Sequence, residues 1–162
     1  MKKFVLILMM ALMAIPVFAQ ETESQTVVNQ KKGRVPSEKK AVISAGLLQG
    51  GGGIVGADFE YLVGKNVSLQ AGVGLVSFGA SINYHFKPYV NSSMISLCYF
   101  HQGVGQSYTT SWLGPTYTFR APKIFQFQIG FGYKVGYGPA ATAEMKKYQA
   151  GLLYSIGVYF PI

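Results

Sequence analysis

Residues 125–135 read Phe125-Gln126-Phe127-Gln128-Ile129-Gly130-Phe131-Gly132-Tyr133-Lys134-Val135. Odd positions are aromatic or aliphatic; even positions are Gln, Gly or Lys. Side chains in a strand point alternately to opposite faces, so this order makes one wholly apolar face and one small, polar face. Wound as a helix, the same residues would scatter aromatics around the circumference and place glycines in the interior. The segment is a strand.

Working outward, the pattern recurs. Leu152, Tyr154, Ile156, Val158 and Phe160 share a face opposite Gly151, Leu153, Ser155, Gly157 and Tyr159. Val67 to Leu75 alternates likewise, as do Ile82 to Lys87 and Val55 to Tyr61, while Ala41 to Gln49, Ser93 to Gln102 and Trp112 to Arg120 are weaker members. The count predicts eight strands. Turn chemistry separates them at Gly64–Asn66, Lys87–Ser92 and Ala121–Lys123 on one side. On the other, connections are expected at Gly50–Gly53, near Ser77–Ala80, at Gly105–Ser111 and at Gly136–Lys147. Pro115 interrupts the sixth segment, where it removes a ladder donor.

Composition decides what such strands build. Hydrophobic residues make up 49% of the 162-residue chain and charged residues 12%, about half the usual charged share of a soluble domain. The polar face is rich in Gly, Ser and Gln, which suits the cramped interior of an eight-stranded barrel better than a wet exterior. The apolar face ends in aromatics, notably Tyr61, Phe86, Phe119, Phe125, Tyr133 and Phe160, where interfacial girdles of a membrane barrel lie. Closure also satisfies every backbone group in lipid. The expected fold is therefore all-β, an eight-stranded antiparallel up-and-down transmembrane β-barrel over residues 41–162.

The front of the chain reads as an address. Met1-Lys2-Lys3 precedes an apolar run from Phe4 to Phe18, and Val17 and Ala19 fit a signal peptidase site before Gln20. Fifteen apolar residues are short for a spanning helix, which needs about 20. Residues 1–19 are thus expected to be a signal peptide and residues 20–40 a flexible tail carrying Lys31, Lys32, Arg34, Lys39 and Lys40. The lack of a Cys near the cleavage site excludes a lipoprotein. The single Cys98 excludes an intramolecular disulfide framework and a Cys-based zinc cluster.

The chain resembles small bacterial outer-membrane barrels, the class that includes OmpX and the transmembrane domain of OmpA, and more closely small outer-membrane proteins of Bacteroidota. The resemblance rests on Gly-Lys-Asn-Val-Ser-Leu-Gln-Ala-Gly-Val-Gly-Leu at 64–75 and Leu-Leu-Tyr-Ser-Ile-Gly-Val-Tyr-Phe at 152–160. It implies localisation in the bacterial outer membrane, with outer-membrane lipid as surroundings. It also implies recognition by the barrel-insertion machinery through the last strand ending at Phe160, although Pro161 and Ile162 follow that residue here. It is nearly silent on activity.

Few residues invite chemistry. By strand parity Asp58, Glu60, His85, Lys87, Arg120 and Lys134 point inward, either as a polar pathway or as an ion-pair network filling a narrow lumen. His101 falls on the opposite, apolar face with Ile95, Leu97 and Tyr99. A lipid A deacylase of the small-barrel class keeps its Ser two places after the His, where this chain has Gly103, and Ser107 falls in a loop, so His101 reads as a satisfied interfacial residue. Cys98 reads as lumenal packing and Asn91-Ser92-Ser93 as a turn. Gly50–Gly53 lacks the Lys-Ser/Thr of a phosphate loop. Basic residues look spread over turns and lumen, which gives nucleic-acid binding no support. No catalytic, cofactor-binding or metal-ligating residue is assigned, and no cofactor is expected. The expected function is a non-enzymatic structural or surface-interaction role, with rim aromatics Tyr108, Trp112, Tyr137 and Tyr148 available to lipid or to an unknown surface partner. A narrow channel for ions or small solutes and a lipid-modifying enzyme are the alternatives.

Overall fold

A computed structural model describes residues 38–104, 108–140 and 148–162. The expected signal peptide and all but the end of the expected tail lie outside the described residues, as do Ser107 and most of the Gly136–Lys147 connection. Eight antiparallel strands run in chain order around a closed barrel: β1 Ala41–Leu47, β2 Val55–Leu62, β3 Val67–Gly74, β4 Ser77–His85, β5 Met94–Val104, β6 Tyr108–Arg120, β7 Phe125–Tyr137 and β8 Ala150–Pro161. Closure is made by β1 on β8, with Ile43 opposite Phe160 and Leu47 opposite Ile156. Among the described residues no helix is long and apolar enough to cross a membrane.

The barrel is inside-out relative to a soluble domain. Ile43, Phe59, Leu69, Ile82, Leu97, Ile129 and Ile156 project outward and are exposed, whereas Glu60, His85, Arg120 and Lys134 are buried. The inner wall follows the polar parity of each strand, with Ser44, Ser68, Ser81, Asn83, Thr116, Thr118 and Ser155 buried.

Several boundaries differ from the sequence reading. The β3–β4 turn falls at Leu75–Val76, so Ser77–Ala80 belong to β4. Val76 holds a left-handed φ of 60°, a conformation β-branched residues rarely adopt, so no turn rule points there. Strand β6 starts at Tyr108 rather than Trp112, and β7 continues to Tyr137. Pro115 is accommodated because the register between β6 and β7 passes from Leu113 to Thr116, leaving Gly114 and Pro115 out of that ladder.

Turns fold inward at both ends of the barrel. At one end the Gln49–Gly52 connection is buried in the barrel, not looped over it. Its backbone takes left-handed φ at Leu48 (58°), Gly50 (64°), Gly51 (81°) and Gly52 (83°). A Cβ on Gly51 would lie 2.0 Å from the Phe78 carbonyl oxygen, so only glycine brings this turn against the β4 backbone. Ser77 Oγ donates to the Gly50 carbonyl (2.7 Å) and Gln102 Nε2 to that of Gly52 (3.1 Å), which pins the turn to β4 and β5. At the other end the β4–β5 turn sends Val90 inside, where it packs with Val42, Tyr159 and Leu62.

Candidate functional site

The lower lumen holds a connected polar network. Glu60 Oε2 accepts from Arg120 Nη2 at 2.5 Å, and Glu60 Oε1 lies 2.6 Å from His85 Nε2. Ser68 Oγ donates to Glu60 Oε1 at 2.5 Å and stands 3.0 Å from His85 Nε2. Asn83 Nδ2 donates to Ser68 Oγ and to Gln70 Oε1, each at 3.1 Å. Arg120 is held further by Gln126 Oε1 at 3.2 Å, by the Val90 carbonyl, and by the Tyr159 ring, 5.0 Å from its guanidinium carbon.

The upper lumen is tied separately. Cys98 Sγ contacts Thr116 Oγ1 at 3.1 Å, and Gln128 Nε2 donates to the same hydroxyl at 2.8 Å while its Oε1 accepts from Ser155 Oγ at 3.1 Å. Asp58 Oδ2 accepts from the Gly50 N–H at 3.3 Å, anchoring the inserted turn. Lys134 Nζ lies 5.0 Å over the Trp112 ring.

The expected inward set is thus assembled, with one exception. Asp58, Glu60, His85, Arg120 and Lys134 are buried in the lumen, but Lys87 lies past the end of β4 and is exposed. Trp112 also differs from expectation: it shares the inward parity of Thr116, Thr118 and Arg120 and packs with Cys98, Phe100 and Leu153. Tyr108, Tyr137 and Tyr148 are the exposed members of that aromatic set.

Ser68, His85 and Glu60 have the residue types of a nucleophile, base and acid. All three are at most 1% exposed, and Ser68 already donates to Glu60, so no substrate reaches a free hydroxyl there. The arrangement stabilises buried charge by pairing it, which is the condition for keeping ions out of water.

A second polar constellation lies on the outer wall. His101 projects outward as parity requires, and its ring stacks on Phe78 with centroids 4.7 Å apart. Its Nδ1 is 2.8 Å from Ser111 Oγ, which also accepts from Tyr99 O–H at 3.2 Å. The sequence reading sought a serine along the same strand. Ser111 is directly opposite on β6, a relation visible only from the β5–β6 register. Ser111 is 8% exposed and no carboxylate bonds to His101 among the described residues, so the pair satisfies polar groups on an apolar wall.

Among the described residues no group of three or more His, Cys, Asp or Glu side chains could hold a metal ion. No family model, curated protein or solved structure matches the chain.

Proposed function

We propose that this chain is an outer-membrane β-barrel whose role is structural or surface-interacting, and that it reaches that membrane by export on residues 1–19. The observation that carries the reading is the inversion of the barrel. A ring of exposed Ile, Leu, Phe and Tyr surrounds a lumen containing an ion-paired Glu60 and Arg120. In water that exterior would be an adhesive apolar surface far larger than a monomer tolerates; in a bilayer it is the solvated face.

A transport role finds no support in the lumen. Among the described residues Arg120, Tyr159, Met94, His85 and Glu60 are its largest fully enclosed side chains, and turns are inserted at both ends. Eight strands leave only enough interior for side chains to fill. The full chain reconstituted in planar bilayers is expected to give a flat current trace; stable conductance steps would replace this reading with the channel. Export is tested by intact mass, which should correspond to a chain starting at Gln20.

One observation favours a second reading. The His101–Ser111 pair lies on the outer wall near the end of β5, where a lipid-acting enzyme would meet its substrate. The same preparation should release no fatty acid from lipid A or phospholipid. Release that disappears in His101→Ala would make the protein an enzyme.

A further inference from the structure

Antiparallel order gathers at one rim what the sequence spreads along the chain. The turns carrying Lys65, Lys87 and Lys123 lie at the same end of the barrel as Lys39 and Lys40, and all five side chains are exposed. Glu38 is the acidic residue at this end among the described residues, and the carboxylates of Asp58 and Glu60 are committed inside. The basic residues are divided between turns and lumen as expected, and topology brings the turn lysines to one end. Directly beside this collar the apolar wall ends in Tyr61, Phe86, Phe119, Phe125 and Phe160.

Within the collar lies a shallow, open groove. It measures about 340 Å³ and lies between the β4–β5 turn and the end of β6, lined by Lys87, Tyr89, Ser92, Phe86, Phe119 and Pro122. The inserted turn shapes it. Val90 is drawn into the lumen and Ser92 Oγ accepts from the Lys87 N–H at 3.0 Å, which fixes the backbone from which Lys87 projects. Phe86 and Phe119 belong to the outward face, so the groove joins the apolar wall to the charged rim.

We propose that this groove binds the headgroup of an anionic phospholipid, with the lipid phosphate on Lys87 and the acyl chains along Phe86 and Phe119. The inference rests on the membrane reading above and adds a lipid preference to it. Charge complementarity selects the occupant: a zwitterionic headgroup offers no net charge to a rim where Lys40, Lys65, Lys87 and Lys123 are exposed and Lys39 is tied to the Pro161 carbonyl, whereas an anionic one does. Lysine suits the task because its ammonium is a compact charge on a flexible stem that reaches down along an apolar wall.

The test uses the full chain purified in a neutral detergent and studied by native mass spectrometry with phosphatidylglycerol or phosphatidylcholine of identical acyl chains. One phosphatidylglycerol is expected to remain bound under conditions that strip phosphatidylcholine. Lys87→Gln should weaken its retention by about fivefold, the effect of roughly one interfacial lysine. Lys87→Arg should retain it, and Lys65→Gln, away from the groove, should weaken it less. Equal retention of the two lipids, an unchanged Lys87→Gln, or full displacement by millimolar glycerol 3-phosphate would overturn the proposal; the last would identify a site for a free phosphate. Insertion of the protein into phosphatidylcholine vesicles is scored separately. Failure there refutes the membrane reading, while insertion without lipid preference refutes only the groove.

Discussion

Glu60→Ala is expected to lower the unfolding free energy of the reconstituted barrel by about 3–5 kcal/mol, the range for removing one partner of a buried ion pair. The carboxylate is the shared acceptor for Arg120, His85 and Ser68. Without it a guanidinium that is 1% exposed keeps, among the described residues, Gln126 Oε1 and the Val90 carbonyl as hydrogen-bond acceptors. The double replacement Glu60→Leu with Arg120→Met removes both charges at similar volume and should recover most of the loss, because the penalty arises from the uncompensated ion. Urea titration in lipid vesicles, followed by the fluorescence of the single Trp112, measures both. A loss below about 1 kcal/mol for the single variant, a range typical of surface pairs, would show that the network contributes little to stability.

Leu69→Arg tests the surroundings of the barrel instead of its filling. Leu69 is 50% exposed on the outer wall of β3, closer to the Gly64–Asn66 turn than to the Leu75–Val76 turn. In a bilayer the guanidinium would sit between one interface and the midplane and cost about 1–3 kcal/mol. In water the same replacement at an exposed position would fall within about 0.5 kcal/mol of neutral. Unfolding in vesicles should therefore shift strongly while Gln70→Ser, on the lumenal side one residue on, follows a different rule set by its bond to Asn83. A neutral Leu69→Arg would remove the main support for the membrane reading.

Much of the architecture was legible because strand parity is a local property. The alternation at 125–135 and 151–160 assigns each side chain to a face without any knowledge of neighbours. The burial of Glu60, Arg120 and Lys134 followed from parity alone. Parity also carried a signal for Trp112 that its position beside a connection masked. What parity omits is which inward residues meet. Glu60 and Arg120 are separated by 60 positions and four strands, and only the closed ring brings them together. Ser111 was invisible for the same reason, since its proximity to His101 depends on the β5–β6 register. The inserted turns escaped because glycine runs and a Pro-Tyr-Val-Asn turn look like ordinary surface connections; a lone Val90 among turn residues was the faint sign that one of them faces inward. The β3–β4 turn was expected two residues too late, since Leu75-Val76 contains no turn former.

The tie between Glu60 and Arg120 has a mechanical side. In a ring of eight strands β2 and β6 stand opposite each other, so this pair spans the diameter like a spoke, with the Tyr159 ring of β8 packed against the Arg120 guanidinium. A cylinder braced across its width resists being flattened by lateral pressure from surrounding lipid. Neither β2 nor β6 can peel from such a ring without breaking a contact that belongs to the far wall. Unfolding should therefore proceed as one cooperative event around the whole circumference, not as a zipper opening at the β1–β8 seam.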